Sequence, residues 1–200
     1  MSNIFPVIAI VLSYFLGNIS PAILIGRAMG VDIREKGSGN AGTTNVLRVL
    51  GKKAAAATLA IDILKGIAAV LLGRYIGGQE TALICGLAVF VGHIWPMVFG
   101  FRGGKGIATG FGVALALEPM LGLIELGAAV ILFVTTKRIS AGSIVAAIVF
   151  PFAAYCFNHA YLPVAAIMGA LVLFKHRMNI KRLIKGEEPK VSFKKQEEKK

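Results

Sequence analysis

The sequence has few cysteines and few acidic residues. Cys85 and Cys156 are its two cysteines in 200 residues, and both lie in apolar runs. Paired cysteine spacings that would hold zinc or carry out thiol–disulfide chemistry are therefore absent. Aspartate and glutamate together number 10, against 22 lysines and arginines. Because a divalent ion prefers clustered carboxylates, we expect no metal and no cofactor.

Long polar stretches are also scarce, which excludes an ordinary soluble protein. Hydrophobic residues make up 56% of the chain, and the mean hydropathy is +0.74. Several uncharged apolar runs approach the roughly 20 residues that a helix needs to cross a bilayer, most clearly 4–26. A soluble core of this size could not bury them. The sequence predicts an all-α polytopic membrane protein, since a β-barrel would show short alternating segments instead.

The first apolar run lacks the features of a cleavable signal peptide. No lysine or arginine precedes it, because the first basic residue is Arg27. A small-residue cleavage site is missing as well. We therefore interpret this run as the first membrane span.

Six apolar segments can be counted, and one of them is ambiguous. They are 4–29, 54–72, 81–101, 106–134, 139–157 and 160–175. Glu118-Pro119 lies near the middle of the fourth. Because proline disfavours a helical residue before it and a midplane carboxylate is costly, we divide the segment there, giving seven spans. Its first half, 106–117, would form about 18 Å of helix against a ~30 Å core, so whether it spans fully is left open.

The basic residues favour seven spans over six. Lysine and arginine number six in 27–53, two in 102–105, two at 137–138 and ten in 175–200. Seven spans put these 20 on one side of the membrane and Arg74 alone on the other. The positive-inside rule then predicts an external N-terminus and a cytoplasmic C-terminus. We divide the chain into a membrane domain, 1–184, and a charged tail, 185–200, disordered at its end.

The net charge of +12 follows from this orientation and from attraction to anionic lipid. Nucleic acid is not an expected partner, because no basic helix with interleaved aromatic residues lies outside the membrane segments.

The first polar stretch, 36–48, reads KGSGNAGTTNVLR and contains the G-x-G-x-x-G spacing as Gly37, Gly39 and Gly42. A dinucleotide site needs these glycines between a strand and a helix, whereas here they follow a membrane span. The glycines can still turn successive N–H groups toward an anion. Further donors with short side chains, and one guanidinium, follow at close spacing: Ser38, Asn40, Thr43, Thr44, Asn45 and Arg48. A phosphate loop and a flexible polar loop both remain open. Asp32 and Arg34 either form a surface pair or position the loop, and we favour a structural role.

The second polar stretch is Gly103-Gly104-Lys105-Gly106 at a predicted helix start. Backbone N–H groups, the helix dipole and the ammonium would all favour an anion there. It is not a Walker A loop, because Gly106 occupies the place of the magnesium-binding hydroxyl. The alternative is a basic turn that flanks the membrane.

Ionisable residues inside the predicted spans are candidates for function. His93 precedes the second stretch and is either a packing residue or a site residue. Asp62 and Lys65 share a helix face, where they either form an intramembrane ion pair or line the polar site, and we favour the pair. Ser143 begins the sixth span from the cytoplasmic side, as a cap, a packing residue or part of a site.

The third polar stretch, 175–190, contains His176, Arg177, Asn179 and Arg182. It could simply anchor the chain at the interface. With seven spans, however, all three stretches lie on the cytoplasmic side. The sequence therefore predicts one site at the inner membrane surface for a phosphorylated ligand.

Together the three stretches resemble the acyl-phosphate-dependent glycerol-3-phosphate acyltransferase family of bacterial membranes. The first motif reads Ser20-Pro21, Asp32-Ile33-Arg34, Gly37-Ser38-Gly39-Asn40, Gly42, Thr44-Asn45 and Arg48. The second reads Gly92-His93, Pro96, Gly103-Gly104-Lys105-Gly106 and Ala108-Thr109. The third reads His176-Arg177, Asn179-Ile180, Arg182-Leu183, Gly186, Glu188 and Lys190. The departures, at Thr43, Trp95 and Arg102, remove no polar group that the chemistry needs.

The resemblance implies transfer of an acyl group from acyl phosphate to the 1-hydroxyl of glycerol 3-phosphate, in the bacterial inner membrane. The products would be lysophosphatidate and inorganic phosphate, and the enzyme that makes acyl phosphate is a candidate partner. The H-x-x-x-x-D pair of the thioester-dependent enzymes is absent. The rival hypothesis is a transporter of phosphate or an organic phosphate, which should carry its anion-binding loops near the membrane midplane.

The resemblance also implies site residues. The expected catalytic residues are Lys105, His93, Ser38, Asn45 and Arg48. The expected substrate-binding residues are Gly37, Gly39, Asn40, Gly42, Thr44, Gly103, Gly104, Gly106, Ser143, His176, Arg177 and Asn179. Two proton acceptors remain open at this point, His93 and the phosphate of the acyl phosphate itself.

Overall fold

A computed structural model describes residues 4–191, and every regular element within that range is helical. The helices are α1 Ile4–Asn18, α2 Pro21–Ala28, α3 Thr43–Val49, α4 Lys52–Ile94, α5 Ile107–Leu117, α6 Pro119–Thr136, α7 Ile139–Phe157, α8 Leu162–Lys175 and α9 Arg177–Ile184. Short 3₁₀ turns cover Met97–Phe99 and His159–Tyr161. The predicted disorder at the end of the tail falls on 192–200, outside the described residues.

Helices α1 and α2 form one apolar segment with a break at Pro21. Proline has no N–H to donate to the carbonyl of Gly17, four residues earlier, so the helix cannot continue through it. The Lys65 ammonium donates to the Gly17 oxygen at 3.2 Å and to the Ile19 oxygen at 2.8 Å. A buried cation thus satisfies carbonyls at the break.

Helix α4 reverses direction at Gly77 and Gly78, where the backbone leaves helical geometry and Gly78 adopts φ +71°. A Cβ added to Gly73 would come within 2.8 Å of the Ala82 Cα atom. In a straight helix these residues would be about 13 Å apart, so 52–76 and 79–94 are two antiparallel arms. The predicted separation of segments 54–72 and 81–101 is confirmed, although the second arm ends at Ile94 because Pro96 follows.

The predicted break at Glu118-Pro119 is confirmed. Helix α5 ends at Leu117, Glu118 is extended with φ −152° and ψ 110°, and α6 begins at Pro119. The Arg74 guanidinium donates to the Leu117 oxygen at 3.0 Å, which satisfies a carbonyl where the short helix ends. The 11 residues of α5 measure about 16 Å, well below the ~30 Å hydrocarbon thickness.

The helices pack around a core that includes Phe90, Val113, Leu121, Ala147 and Met168. Large apolar side chains on the outer surface are exposed, as lipid contact requires; examples are Phe5, Leu64, Val130 and Phe152. Within residues 4–191, four helical segments are long and apolar enough to cross a bilayer: Ile4–Ala28, Lys52–Phe99, Pro119–Thr136 and Ile139–Phe157. The bent pair His159–Lys175 and Arg177–Ile184 passes the same test when its two helices are taken together.

The first part of the predicted tail packs on the helices. The Arg138 guanidinium donates to the Glu188 carbonyl at 2.9 Å, and the Val191 N–H donates to the Lys137 carbonyl at 2.9 Å. The Glu188 side chain is buried. Folded structure therefore extends through 185–191.

Candidate active site

The three polar stretches meet around one open cavity of about 2400 Å³. We call residues 36–42 loop 1, residues 103–106 loop 2 and residues 175–190 the basic cluster. The cavity is lined by ten basic side chains and, among the described residues, by no carboxylate. These side chains are Lys36, Arg48, Lys52, Lys53, Arg102, Lys105, Lys175, Arg177, Arg182 and Lys190. Such a surface attracts ligands with several negative charges.

Loop 1 is built around the buried side chain of Asn45. The Asn45 carboxamide oxygen accepts the Ser38 N–H at 2.8 Å, and its nitrogen donates to the carbonyls of Ile33 at 2.9 Å and Lys36 at 3.0 Å. Gly37 has φ +60°, and a Cβ there would overlap the Asn45 oxygen. The carboxamide therefore fixes the loop from behind, while Ser38 and Asn40 face the cavity.

Asp32 and Arg34 form the predicted pair at the base of loop 1. The Arg34 guanidinium donates to both Asp32 carboxylate oxygens, at 3.0 and 2.7 Å, and its backbone N–H donates to one of them. These hydrogen bonds hold the pKa of Asp32 well below its usual range. Arg34 also reaches the Phe99 carbonyl at 3.4 Å, which links loop 1 to the segment before loop 2.

Loop 2 rests on the end of α4. The Gly103 N–H donates to the Ile94 carbonyl at 3.3 Å, and the Gly104 N–H donates to the His93 carbonyl at 3.1 Å. Gly106 begins α5 with φ +89°, and a Cβ at this position would run into the Phe90 ring. Loop 2 therefore needs glycines for close packing as well as for backbone geometry.

Lys105 extends from loop 2 into the cavity and contacts the Asn179 carboxamide oxygen of the basic cluster. Burial lowers its pKa to about 8. Glu188 opposes this shift, and Arg182, Arg48 and Lys175 add to it. Burial and the three cations Arg182, Arg48 and Lys175 make the charge of Lys105 unfavourable. An anion beside the ammonium would therefore stabilise it.

Glu188 holds the basic cluster together. Its carboxylate accepts hydrogen bonds from Ser140 Oγ at 2.7 Å, Asn179 Nδ2 at 2.7 Å and Arg182 Nε at 2.7 Å. Burial alone would raise the pKa of this carboxyl, but the hydrogen bonds outweigh burial and the pKa falls below its usual value. Glu188 thus aims the oxygen of Asn179 at Lys105.

Ten of the predicted site residues line the cavity, and seven do not. The lining residues are Gly37, Ser38, Gly39, Asn40, Thr44, Arg48, Gly103, Lys105, Arg177 and Asn179. Those outside the lining are Gly42, Asn45, His93, Gly104, Gly106, Ser143 and His176. Ser143 donates to the Ile139 carbonyl at 3.0 Å, and His176 contacts the Val172 carbonyl at 2.9 Å through Nδ1.

His93 belongs to a buried cluster beneath loop 2. Lys65 Nζ lies 2.7 Å from Asp62 Oδ1, which confirms the predicted intramembrane ion pair. His93 Nδ1 lies 3.0 Å from Lys65 Nζ and 3.3 Å from Asp62 Oδ1. All three side chains are buried.

The predicted site set omits Glu188, Arg182 and Lys175, although Arg182 and Lys175 line the cavity. The basic run KGEEPK contains two acidic residues, Glu187 and Glu188, and only Glu188 belongs to the third motif, as does Arg182. Membership of that motif is the signal that could have identified it.

The chain is similar to known proteins along most of its length. The sequence model of the family described as glycerol-3-phosphate acyltransferase matches residues 7–186. A glycerol-3-phosphate acyltransferase of Thermoanaerobacter sp. (strain X514) is 46% identical over 193 residues, 95% of this chain and 98% of that protein. One of Clostridioides difficile (strain 630) is 46% identical over 198 residues, 95% of this chain and 97% of that protein.

A solved structure is also similar. The crystal structure of PlsY (YgiH), an integral membrane glycerol 3-phosphate acyltransferase in its glycerol 3-phosphate form, is 35% identical, with TM-score 0.90 over 94% of this chain and 96% of that one. Its lysophosphatidic acid form gives TM-score 0.87 at 34% identity over the same shares. The chain belongs to the glycerol-3-phosphate acyltransferase family of integral membrane enzymes.

Proposed function

We propose that this protein transfers an acyl group from an acyl phosphate to the 1-hydroxyl of glycerol 3-phosphate, as the first acylation of phospholipid synthesis. The proposal rests above all on the cavity, which is lined by ten basic side chains, six of them from loop 1, loop 2 and the basic cluster. Both substrates carry phosphate, and a cavity of this charge suits two of them. Its size leaves room for both at once.

The Lys105 ammonium would hold one phosphate, and loop 1 with Arg48 the other, because the Gly103 and Gly104 N–H groups of loop 2 already donate to carbonyls at the end of α4. The hydroxyl oxygen attacks the acyl carbon, and the bond from that carbon to the phosphate oxygen breaks. An acyl phosphate is an activated anhydride, so positioning and neutralisation of the departing charge supply most of the catalysis. Arg177 and Asn179 close the cavity from the basic cluster.

The departing phosphate is the better candidate for the proton acceptor. His93 lies outside the cavity lining, beneath Gly104, whereas a general base must reach the proton that it takes. The hydroxyl proton then leaves on inorganic phosphate, and no acyl-enzyme forms.

Incubating the purified protein with palmitoyl phosphate and glycerol 3-phosphate tests the function. We expect lysophosphatidate and phosphate in equal amounts without any thioester. Flux of glycerol 3-phosphate into proteoliposomes without product would instead favour the transporter.

Arg48→Ala should lower kcat/KM roughly 30-fold, because one charge-assisted contact to phosphate is lost. Arg48 lines the cavity. Unchanged kinetics in a variant that still inserts into the membrane would remove Arg48 from the site. Arg48→Lys is the control, since it keeps the charge. Its kcat/KM should lie between the values of the parent protein and Arg48→Ala.

The KM of one phosphate substrate should rise above pH 8. Because the pKa of Lys105 is about 8, its ammonium is present below that pH and is lost as the pH rises through it. Binding that needs the ammonium then weakens roughly tenfold for each further pH unit. Measuring both KM values from pH 6.5 to 9.5 tests this, and Lys105→Arg should abolish the rise. A KM that stays flat in the parent protein contradicts the assignment.

We also propose seven crossings of a bacterial inner membrane, with the N-terminus outside. α1 with α2 would cross once, the two arms of α4 twice, and α5, α6, α7 and α8 once each, although α5 is short. The distribution of basic residues supports this orientation, because the cavity and its cations then face the cytoplasm.

Cysteine labelling tests the orientation. Cys85 and Cys156 are first replaced by alanine, and single cysteines are then introduced at Tyr75 and Lys181, both exposed. An impermeant maleimide added to spheroplasts should label Tyr75→Cys at once and Lys181→Cys only after lysis. The reverse pattern would invert the topology.

A further inference from the structure

Glu125 is a buried acid that the proposed reaction does not use. It lies on α6 with 6% of its surface exposed, and its Oε2 atom has no hydrogen-bond partner. Within residues 4–191 its carboxyl takes part in no ion pair. A carboxylate buried among apolar helices without a cation is costly, so such a group binds a proton instead. The neutral acid can then both donate and accept hydrogen bonds.

A small cavity of about 10 Å³ lies beside Glu125. The other described residues of its lining are apolar or glycine and come from α4, α5, α7, α8 and loop 2; they include Phe90, Gly106, Ala147 and Gly169. Glu125 is therefore the residue that brings a polar side chain to this lining. The volume is close to the minimum that one water molecule needs.

Pro151 supplies a second polar group at the same cavity. It lies inside α7 and has no N–H to donate to the carbonyl of Ala147, four residues earlier. The Ala147 oxygen lies on the side of α7 that faces α8, because a Cβ added to Gly169 would come within 2.5 Å of it. Ala147 and Gly169 both line the cavity. A carbonyl without its usual helical donor and an unpartnered acid therefore border the same small space.

We propose that this cavity is a binding site for one water molecule, held between the protonated carboxyl of Glu125 and the carbonyl of Ala147. The water donates one hydrogen to the Ala147 oxygen and forms its other hydrogen bonds with the carboxyl. Ordered water is one of the ways in which a carbonyl freed by proline regains a partner inside a membrane protein. The site is a property of the folded chain and does not depend on the proposed acyl transfer.

Infrared spectra of the full chain in nanodiscs test the protonation of Glu125. We expect the carbonyl stretch of a protonated carboxylic acid at neutral pH, and we expect Glu125→Gln to lose this band. If the region of the protonated acid is the same in the parent protein and in Glu125→Gln, Glu125 is ionised and the proposal is wrong.

Water-edited solid-state NMR of the same sample tests the occupant. The carboxyl carbon of Glu125 and the carbonyl carbon of Ala147 should receive magnetisation from water protons early. Val70 is the control, because it is fully buried and does not line the cavity, and its carbonyl carbon should receive magnetisation late. Equally late transfer to Ala147 and Val70 would show a dry cavity and would overturn the proposal.

Melting temperatures of paired variants test whether Glu125 and Pro151 act on one site. Glutamine keeps a polar partner for the water, whereas leucine removes it, so Glu125→Gln should melt about 3 to 6 °C above Glu125→Leu. Pro151→Ala returns an N–H to the Ala147 carbonyl, so in that background the difference should fall by roughly half or more. An equal difference in both backgrounds, or a leucine variant as stable as the glutamine variant, contradicts the site.

Discussion

Lys105→Met should lower kcat/KM by a factor of about 100 to 1,000, the largest loss expected from any single substitution in this cavity. Removing one preorganised group that stabilises developing charge typically has an effect of this size. Lys105 contacts Asn179, and Arg48 and Arg182 lie close enough to lower its pKa. Methionine keeps most of the side-chain volume and removes only the charge.

The size of the loss should depend on charge and position together. Lys105→Arg should recover part of the activity, because the guanidinium stays charged but is larger and planar. Lys181→Met is the matched control, since Lys181 is exposed on α9 and does not line the cavity. The measurement is the rate of product formation by each purified variant, Lys105→Met, Lys105→Arg and Lys181→Met. A loss below threefold for Lys105→Met, or an equal loss for Lys181→Met, would contradict the role.

Asn45→Leu should lower kcat/KM at least 100-fold, although Asn45 does not line the cavity. Leucine has a similar volume but can make none of the three hydrogen bonds to Ser38, Ile33 and Lys36. Each buried backbone group left without a partner costs about 1–3 kcal/mol. Loop 1 would therefore lose the conformation that presents Ser38 and Asn40.

Asn45→Asp sharpens this prediction. Aspartate keeps an oxygen for the Ser38 N–H but turns its second oxygen toward the carbonyls of Ile33 and Lys36, which repel it. We expect an equally large loss, accompanied by a higher KM for a phosphate substrate. Thr43→Ala, at the start of α3, is the control and should change activity little. Near-parental kinetics for Asn45→Leu would show that loop 1 does not depend on this carboxamide.

The helical membrane fold was predictable because its signals are local. Apolar run length marks the spans, and the helices break or reverse at Pro21, Gly77, Gly78 and Pro119, whereas Pro151 lies inside α7 without ending it. The break at Glu118 was expected for this reason, and the structure has it. The continuous stretch Lys52–Ile94 was less predictable. Its two arms reverse direction at two glycines, Gly77 and Gly78, without a polar loop between them.

The three site motifs were also visible in the sequence, since glycines, short polar residues and cations recur at close spacing. Their roles were less visible. Asn45 was expected to contact substrate, but it organises loop 1 from behind. Ser143 and His176 bond to carbonyls of their own helices. Glu188, which orients Asn179, was absent from the predicted site.

The sequence by itself thus determined the class of protein, the break at Glu118-Pro119 and the positions of three polar motifs. Tertiary structure alone decided which side chains line the cavity and which support its wall. The deciding contacts join distant residues: Lys65 with His93 is 28 positions apart, and Lys105 with Asn179 is 74. Whether a polar side chain turns toward a cavity depends on the partners that packing places around it, and no local pattern encodes those partners.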